Sequence, residues 1–96
     1  MSLLTKLKAR RVELLAAARH RGAMNLRVFG SVARGEEIPG SDVDLLVDME
    51  AGRSLLDLAG LQQDLERLLG HRVDVLTEDS TSPYLGERVL SEARPL

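Results

Sequence analysis

The sequence predicts an α/β chain of the mixed α+β type, in which a small mixed β-sheet is flanked by helices in the order α-β-β-α-β-α. Three observations favour this class. Two long stretches carry apolar residues at helical spacing, short segments between them are rich in apolar and β-branched residues, and glycines separate the segments. At 96 residues the chain is expected to form a single domain over residues 1–96.

The first half of the chain is predicted to hold one helix and two strands. A helix over residues 2–21 places its leucines near one face and its Lys and Arg residues on the rest, and Gly22 ends it. A short strand follows at Asn25–Phe29. The Pro39-Gly40 turn then leads into a second strand, Asp42–Asp48, whose interior is apolar and partly β-branched.

The second half is predicted to hold a helix, a strand and a final helix. Ser54 and Asp57 have the spacing of a capping box, and the leucine-striped helix that they open ends before Gly70. A third strand is predicted at Arg72–Leu76. A Ser-Pro pair then opens a final helix over residues 82–93, with proline in the favoured first position.

The composition excludes several classes of protein. With 44% hydrophobic residues the chain is not disordered, and without cysteine it has no disulfide, thiolate nucleophile or cysteine-based zinc site. The apolar run Leu14–Ala18 is far shorter than the roughly 20 residues that cross a bilayer, and no cleavage pattern follows it. A cytoplasmic protein without membrane contact is therefore expected.

Charge is divided sharply along the chain. Residues 1–34 carry eight Lys/Arg and one acid, whereas the remainder carries five Lys/Arg and fourteen acids, for a net charge of −2. Such asymmetry can mark an acidic or nucleic-acid partner, and a solvated basic helix face is the alternative. Only Phe29 and Tyr84 are aromatic, so bases would find almost no stacking surface and sequence-specific nucleic-acid binding is not expected.

Gly30-Ser31 is the first candidate for chemistry. A glycine directly after a buried strand lets a ligand approach the backbone, since no Cβ intervenes. If a short helix begins at Ser31, its free N–H groups and the Ser hydroxyl suit a phosphate. A Gly-Ser turn that only caps a helix is the common alternative.

Asp42 and Asp44 form the second candidate. Side chains two apart on a strand share a face, so these two carboxylates lie side by side and suit Mg²⁺ or Mn²⁺. A solvated strand end is the alternative. An EF-hand is excluded because Leu46 and Val47 occupy the fifth and sixth positions of its would-be loop, which call for an oxygen ligand and a glycine. Asp48 shares the parity of Asp44, but four residues at ~3.3 Å each put it out of coordination range.

Asp74 is the third candidate, because a charge between Val73 and Val75 conflicts with a short apolar strand. The alternative is a polar outer face on an edge strand. If this strand neighbours the second one, Asp74 completes a cluster of three carboxylates. Such a cluster could hold two metal ions about 3.5–4 Å apart, which activate a hydroxyl and stabilise a leaving pyrophosphate.

Together these motifs resemble a known signature. Gly30-Ser31, ten intervening residues and then Asp42-Val43-Asp44 resemble the DNA polymerase β-like nucleotidyltransferase superfamily. The longer stretches around both motifs are similar to the minimal nucleotidyltransferase (MNT) antitoxin family in particular. The resemblance continues through residues 72–76 and 88–93, so it covers nearly the whole chain and implies the nucleotidyltransferase fold.

The resemblance implies a role for each candidate residue. Asp42 and Asp44 would hold the metal ions, and Asp74 would bind the ion that activates the attacking hydroxyl. Contact with the nucleotide's β- and γ-phosphates falls to Gly30 and Ser31, while the nearest cation, Arg34, would contact phosphate or a partner. The cofactor implied is Mg²⁺ (or Mn²⁺), as two ions, with ATP as substrate. The reaction implied is in-line attack on the α-phosphate with release of pyrophosphate.

The resemblance also implies a partner. Minimal nucleotidyltransferases typically act as antitoxins beside a HEPN-type ribonuclease toxin and silence it by transferring AMP from ATP to a tyrosine. Two alternatives stay open: an inactive antitoxin that neutralises the toxin by binding alone, and nucleotidyl transfer to a small molecule. The second would normally need an added substrate-binding domain, for which 96 residues leave no room.

Overall fold

The computed structural model describes residues 2–78 and 83–96, with residues 83–86 described by their backbone alone. It confirms the α+β class. The elements in chain order are α1 (Leu3–Ala9), α2 (Arg11–His20), β1 (Ala23–Phe29), α3 (Gly30–Arg34), β2 (Val43–Met49), α4 (Leu55–Leu69), β3 (Val73–Leu76), α5 (Pro83–Glu92) and β4 (Arg94–Pro95).

The four strands form one mixed sheet in the order β3-β2-β1-β4. β1 runs antiparallel to both of its neighbours, β2 and β4, whereas β2 and β3 are parallel. Parallel neighbours need a long crossover, and α4 provides it. The end of β1 therefore lies at the same edge of the sheet as the beginnings of β2 and β3.

The prediction of one helix over residues 2–21 is wrong, because the chain turns at Arg10 (φ −107°, ψ 18°) and forms two helices. The turn lets Leu7 of α1 and Leu14 of α2 both be fully buried. Arg10 itself donates a hydrogen bond of 2.6 Å to the carbonyl oxygen of Leu68 in α4. A contact with so distant a residue leaves no mark in the local sequence.

Other boundaries shift by smaller amounts. β1 begins at Ala23, two residues earlier than predicted, and it accommodates Asn25 at a positive φ of 55° where its register against β2 shifts. The short helix α3 begins at Gly30, and the two-residue strand β4 was not predicted. The final helix is present, although the capping role predicted for Ser82 lies outside the described residues.

The core lies on one face of the sheet, under α2 and α4. α4 has the predicted capping box at Ser54 and Asp57, buries Leu61, Leu65 and Leu69, and ends at Gly70 in the left-handed conformation. Each buried leucine contributes about 1.5–3 kcal/mol relative to an exposed one. Burial of these leucines therefore holds α4 against the sheet, and α4 in turn places β3 beside β2.

The opposite face carries a smaller apolar cluster of Phe29, Leu46 and Val89, through which α5 packs on the sheet. β4 follows α5 directly and pairs with β1, which closes that side of the sheet. Among the helices of the described residues, none has both the length and the apolar character to cross a membrane.

Candidate active site

Backbone register brings the predicted carboxylates to one edge of the sheet. In the parallel ladder Asp44 lies directly opposite Asp74, and in the antiparallel ladder it lies opposite Phe29, the last residue of β1. Asp42 immediately precedes β2. The condition set by the sequence, that the strands carrying Asp44 and Asp74 be neighbours, is thus met.

Gly30 lies against Asp44. The glycine has a φ of +75°, which L side chains rarely adopt, and a Cβ built on it would overlap Oδ2 of Asp44. Only glycine allows α3 to start this close to a carboxylate. The turn and the acidic strand, predicted from separate motifs, therefore form a single site, in which Ser31 occupies the second position of α3.

The electrostatics of the site centre on Asp44. Burial first, and then repulsion by Asp74 and Asp42, together raise the pKa of its carboxyl from 3.8 to about 6, against the opposing effect of the positive charge of Arg34. The charges of Asp74 and Asp42 therefore both reach Asp44. A bound cation would relieve this repulsion.

The three aspartates do not form a complete metal-binding site by themselves. Among residues 2–78 and 83–96, no three His, Cys, Asp or Glu side chains come together as a ready-made metal site. Asp42 instead faces Arg72, whose Nε lies 3.7 Å from its Oδ1. An oxygen-only set of this kind fits Mg²⁺ or Mn²⁺, which commonly take one or two carboxylates and complete their coordination with substrate phosphates and water.

Arg34 is already engaged by two carboxylates. Its Nε donates to Glu36 at 3.1 Å and its Nη1 donates to Glu92 at 2.9 Å. Its direct contact with a phosphate therefore stays a prediction. Glu92 and Arg72 were missed by the sequence analysis, since the first lies 58 residues from Arg34 and the second carries no motif of its own.

A mixed sheet with a Gly-Ser turn against paired aspartates has the architecture of a nucleotidyltransferase domain. The chain belongs to the nucleotidyltransferase domain family, which matches residues 12–96. It is an enzyme of the nucleotidyltransferase class, and its predicted kinship with the minimal nucleotidyltransferases is confirmed.

Individual relatives agree with this assignment. The protein adenylyltransferase MntA of Thermococcus cleftensis is 45% identical over 71 residues, which are 74% of this chain and 72% of the relative. The solved structure of a candidate minimal nucleotidyltransferase is 53% identical, with a TM-score of 0.88 over 100% of this chain and 97% of the other.

The fold is also similar to a chain from the complex of a tri-AMPylated Shewanella oneidensis HEPN toxin with an MNT antitoxin. Here the TM-score is 0.67 at 20% identity, over 96% of this chain and 70% of the other. At this identity the similarity concerns the fold alone.

Proposed function

We propose that this chain transfers AMP from ATP to a protein partner in the cytoplasm, a tyrosine of a HEPN-type toxin, and thereby acts as its antitoxin. The observation that carries the proposal is the contact of Gly30 with Asp44, opposite Asp74 on the neighbouring strand. A relative named a protein adenylyltransferase and a fold shared with a chain of an MNT–HEPN complex support the choice of acceptor.

In this proposal Asp42, Asp44 and Asp74 hold Mg²⁺ (or Mn²⁺), as two ions. When bound, the ions neutralise the triphosphate and increase the acidity of the acceptor hydroxyl. Gly30 and Ser31 bind the β- and γ-phosphates, because the glycine starts α3 beside the carboxylate of Asp44 and the serine offers an N–H and a hydroxyl. The work of the protein is to position the reactants and stabilise charge.

The transfer exchanges a phosphoanhydride bond of ATP for a phosphate ester bond to the acceptor. The acceptor oxygen forms a bond to the α-phosphorus, the bond between that phosphorus and the oxygen bridging to the β-phosphate breaks, and pyrophosphate leaves with the electron pair. The hydroxyl proton of the acceptor passes to solvent water. A macromolecular acceptor supplies its own binding surface, which suits a domain of this size.

The experiment compares wild type with the double variant Asp42→Asn, Asp44→Asn. Each protein is incubated with the partner, ATP and Mg²⁺, and the intact mass of the partner is measured. Wild type should add AMP units and the folded double variant none. Asp48→Asn makes the same change further along β2, away from the site, and should leave transfer intact.

Three outcomes contradict the proposal. Transfer by the folded double variant at the wild-type rate would show that these aspartates are not catalytic. If neither wild type nor the double variant modifies the partner, yet both neutralise it, the chain is a binding antitoxin. Modification of a small molecule in place of the partner would favour the third candidate, small-molecule nucleotidyl transfer.

A further inference from the structure

An ion pair joins α3 to α5 beside the candidate site. Arg34 is the last residue of α3 and Glu92 is the last residue of α5, and Nη1 of the arginine lies 2.9 Å from Oε2 of the glutamate. Their side chains are 38% and 23% exposed, so the pair is partly shielded from water. We call this pair the clasp.

The glutamate of the clasp lies on a helix that packs against the sheet. Glu92 lies three residues after Val89, which is buried against Phe29 and Leu46, so both face inward on α5. Its other carboxylate oxygen, Oε1, lies 3.4 Å from Nε of Arg88, one turn earlier. Glu92 therefore lies on a helix that Val89 fixes against the sheet.

The helix that the clasp holds is too short to be stable alone. α3 has five residues, and isolated helices of this length do not persist in water. Glycines in the left-handed region bound it on both sides, Gly30 at its start and Gly35 at its end, and neither restricts the backbone as other residues would. The contacts that hold α3 include the burial of Val32, the packing of Ala33 against the core and the clasp.

We propose that Glu92 is a positioning residue for nucleotide binding. By holding Arg34 it fixes the orientation of α3, and this orients the Gly30-Ser31 turn toward the triphosphate. The inference rests on the proposed function, since it assumes that ATP binds at this turn. In this inference Arg34 links α3 to α5 and does not contact phosphate directly.

The test compares Glu92→Gln with Glu87→Gln, which removes the same charge from an exposed position on the same helix. Hydrogen exchange is followed at the amides of Gly35 and Glu36, which donate to the carbonyl oxygens of Val32 and Ser31. In Glu92→Gln these amides should exchange several-fold faster. ATP affinity in Mg²⁺ should fall about two- to fivefold, as expected when a partly exposed ion pair is lost.

Two further readouts separate positioning from general stability. With the partner as acceptor, KM for ATP should rise while kcat at saturating ATP stays within about twofold, because the lost order is restored by the bound triphosphate. The double variant Arg34→Gln, Glu92→Gln should be no worse than Arg34→Gln alone, since both remove one interaction. Glu87→Gln should match wild type throughout.

The opposite result is well defined. If Arg34 were a phosphate ligand, its release from Glu92 would leave ATP affinity unchanged or increase it, and either outcome overturns the inference. So do unchanged exchange rates at Gly35 and Glu36. If wild type binds no ATP, the proposed function fails, and the exchange measurement alone decides whether Glu92 orders α3.

Discussion

Replacement of Asp44 by Asn should stabilise the metal-free protein at neutral and alkaline pH. The pKa of Asp44 is raised from 3.8 to about 6 by burial and by the neighbouring aspartates, so the folded state holds this proton more tightly than the unfolded state. Stability from the protonated carboxyl is present below the unfolded pKa and is lost as the pH rises through about 6. Above that range the ionised carboxylate opposes folding.

The size of the effect follows from the pKa. At about 1.4 kcal/mol per pH unit, the shift corresponds to an upper bound of about 3 kcal/mol, and partial contact with solvent reduces this to about 1–2 kcal/mol. Asn keeps the size of the side chain and removes the charge. The variant should therefore be more stable than wild type at about pH 8, and the difference should nearly vanish at about pH 4.

Urea unfolding in the presence of EDTA at both pH values measures this difference. Asp48→Asn is the matched control, because Asp48 accepts hydrogen bonds from Arg27 and Asn25, both at 3.0 Å, and its neutralisation should destabilise by about 1 kcal/mol. A variant Asp44→Asn that is less stable than wild type at the higher pH would refute the reasoning, since the carboxylate would then be a stabilising group.

Further perturbations test the turn, the second half of the fold and the partner. Gly30→Ala should abolish ATP binding measured by calorimetry and lower the melting temperature, because its Cβ would overlap the carboxylate of Asp44 at a positive φ; a variant that binds ATP like wild type would show that the close approach is dispensable. Ser54→Ala removes the capping box with Asp57 and should cost about 1 kcal/mol in urea unfolding, while a change within error would show that the cap does not stabilise α4. The complex with the HEPN-type partner should weaken with salt on size-exclusion chromatography, because residues 1–34 are strongly basic, and elution independent of salt would argue against a charged interface.

The features predicted correctly from the sequence are those specified by neighbouring residues. The capping box of Ser54 with Asp57 and the leucines that follow fix α4 within its own span. Gly30 lies in a short motif just after β1 and Asp44 in another at the start of β2, so their types and spacing were visible in the sequence before their contact was. The sequence did not establish that the strand of Asp74 lies beside the strand of Asp44, because strand order depends on packing of the whole sheet.

The features missed depend on distant residues. Arg10 interrupts the first helical stretch without a glycine or proline, and its guanidinium is held by Leu68 of α4. Pro95 lies in a two-residue strand that exists only because β1 offers an unpaired edge. Arg34 looked like a cation available to phosphate, because nothing near it in the chain shows that Glu92 will reach it from α5.

The parallel pairing of β2 with β3 has a consequence for how the chain acquires its activity. Asp44 and Asp74 lie opposite each other across a crossover that includes α4, and the contact of Arg34 with Glu92 closes a still longer loop. Contacts between distant segments generally form late in folding, since closing the loop between them costs chain entropy before the contacts contribute any stability. In a partly folded chain the residues of the site are therefore not yet in place. We expect the ability to transfer nucleotide to appear only when the fold is complete.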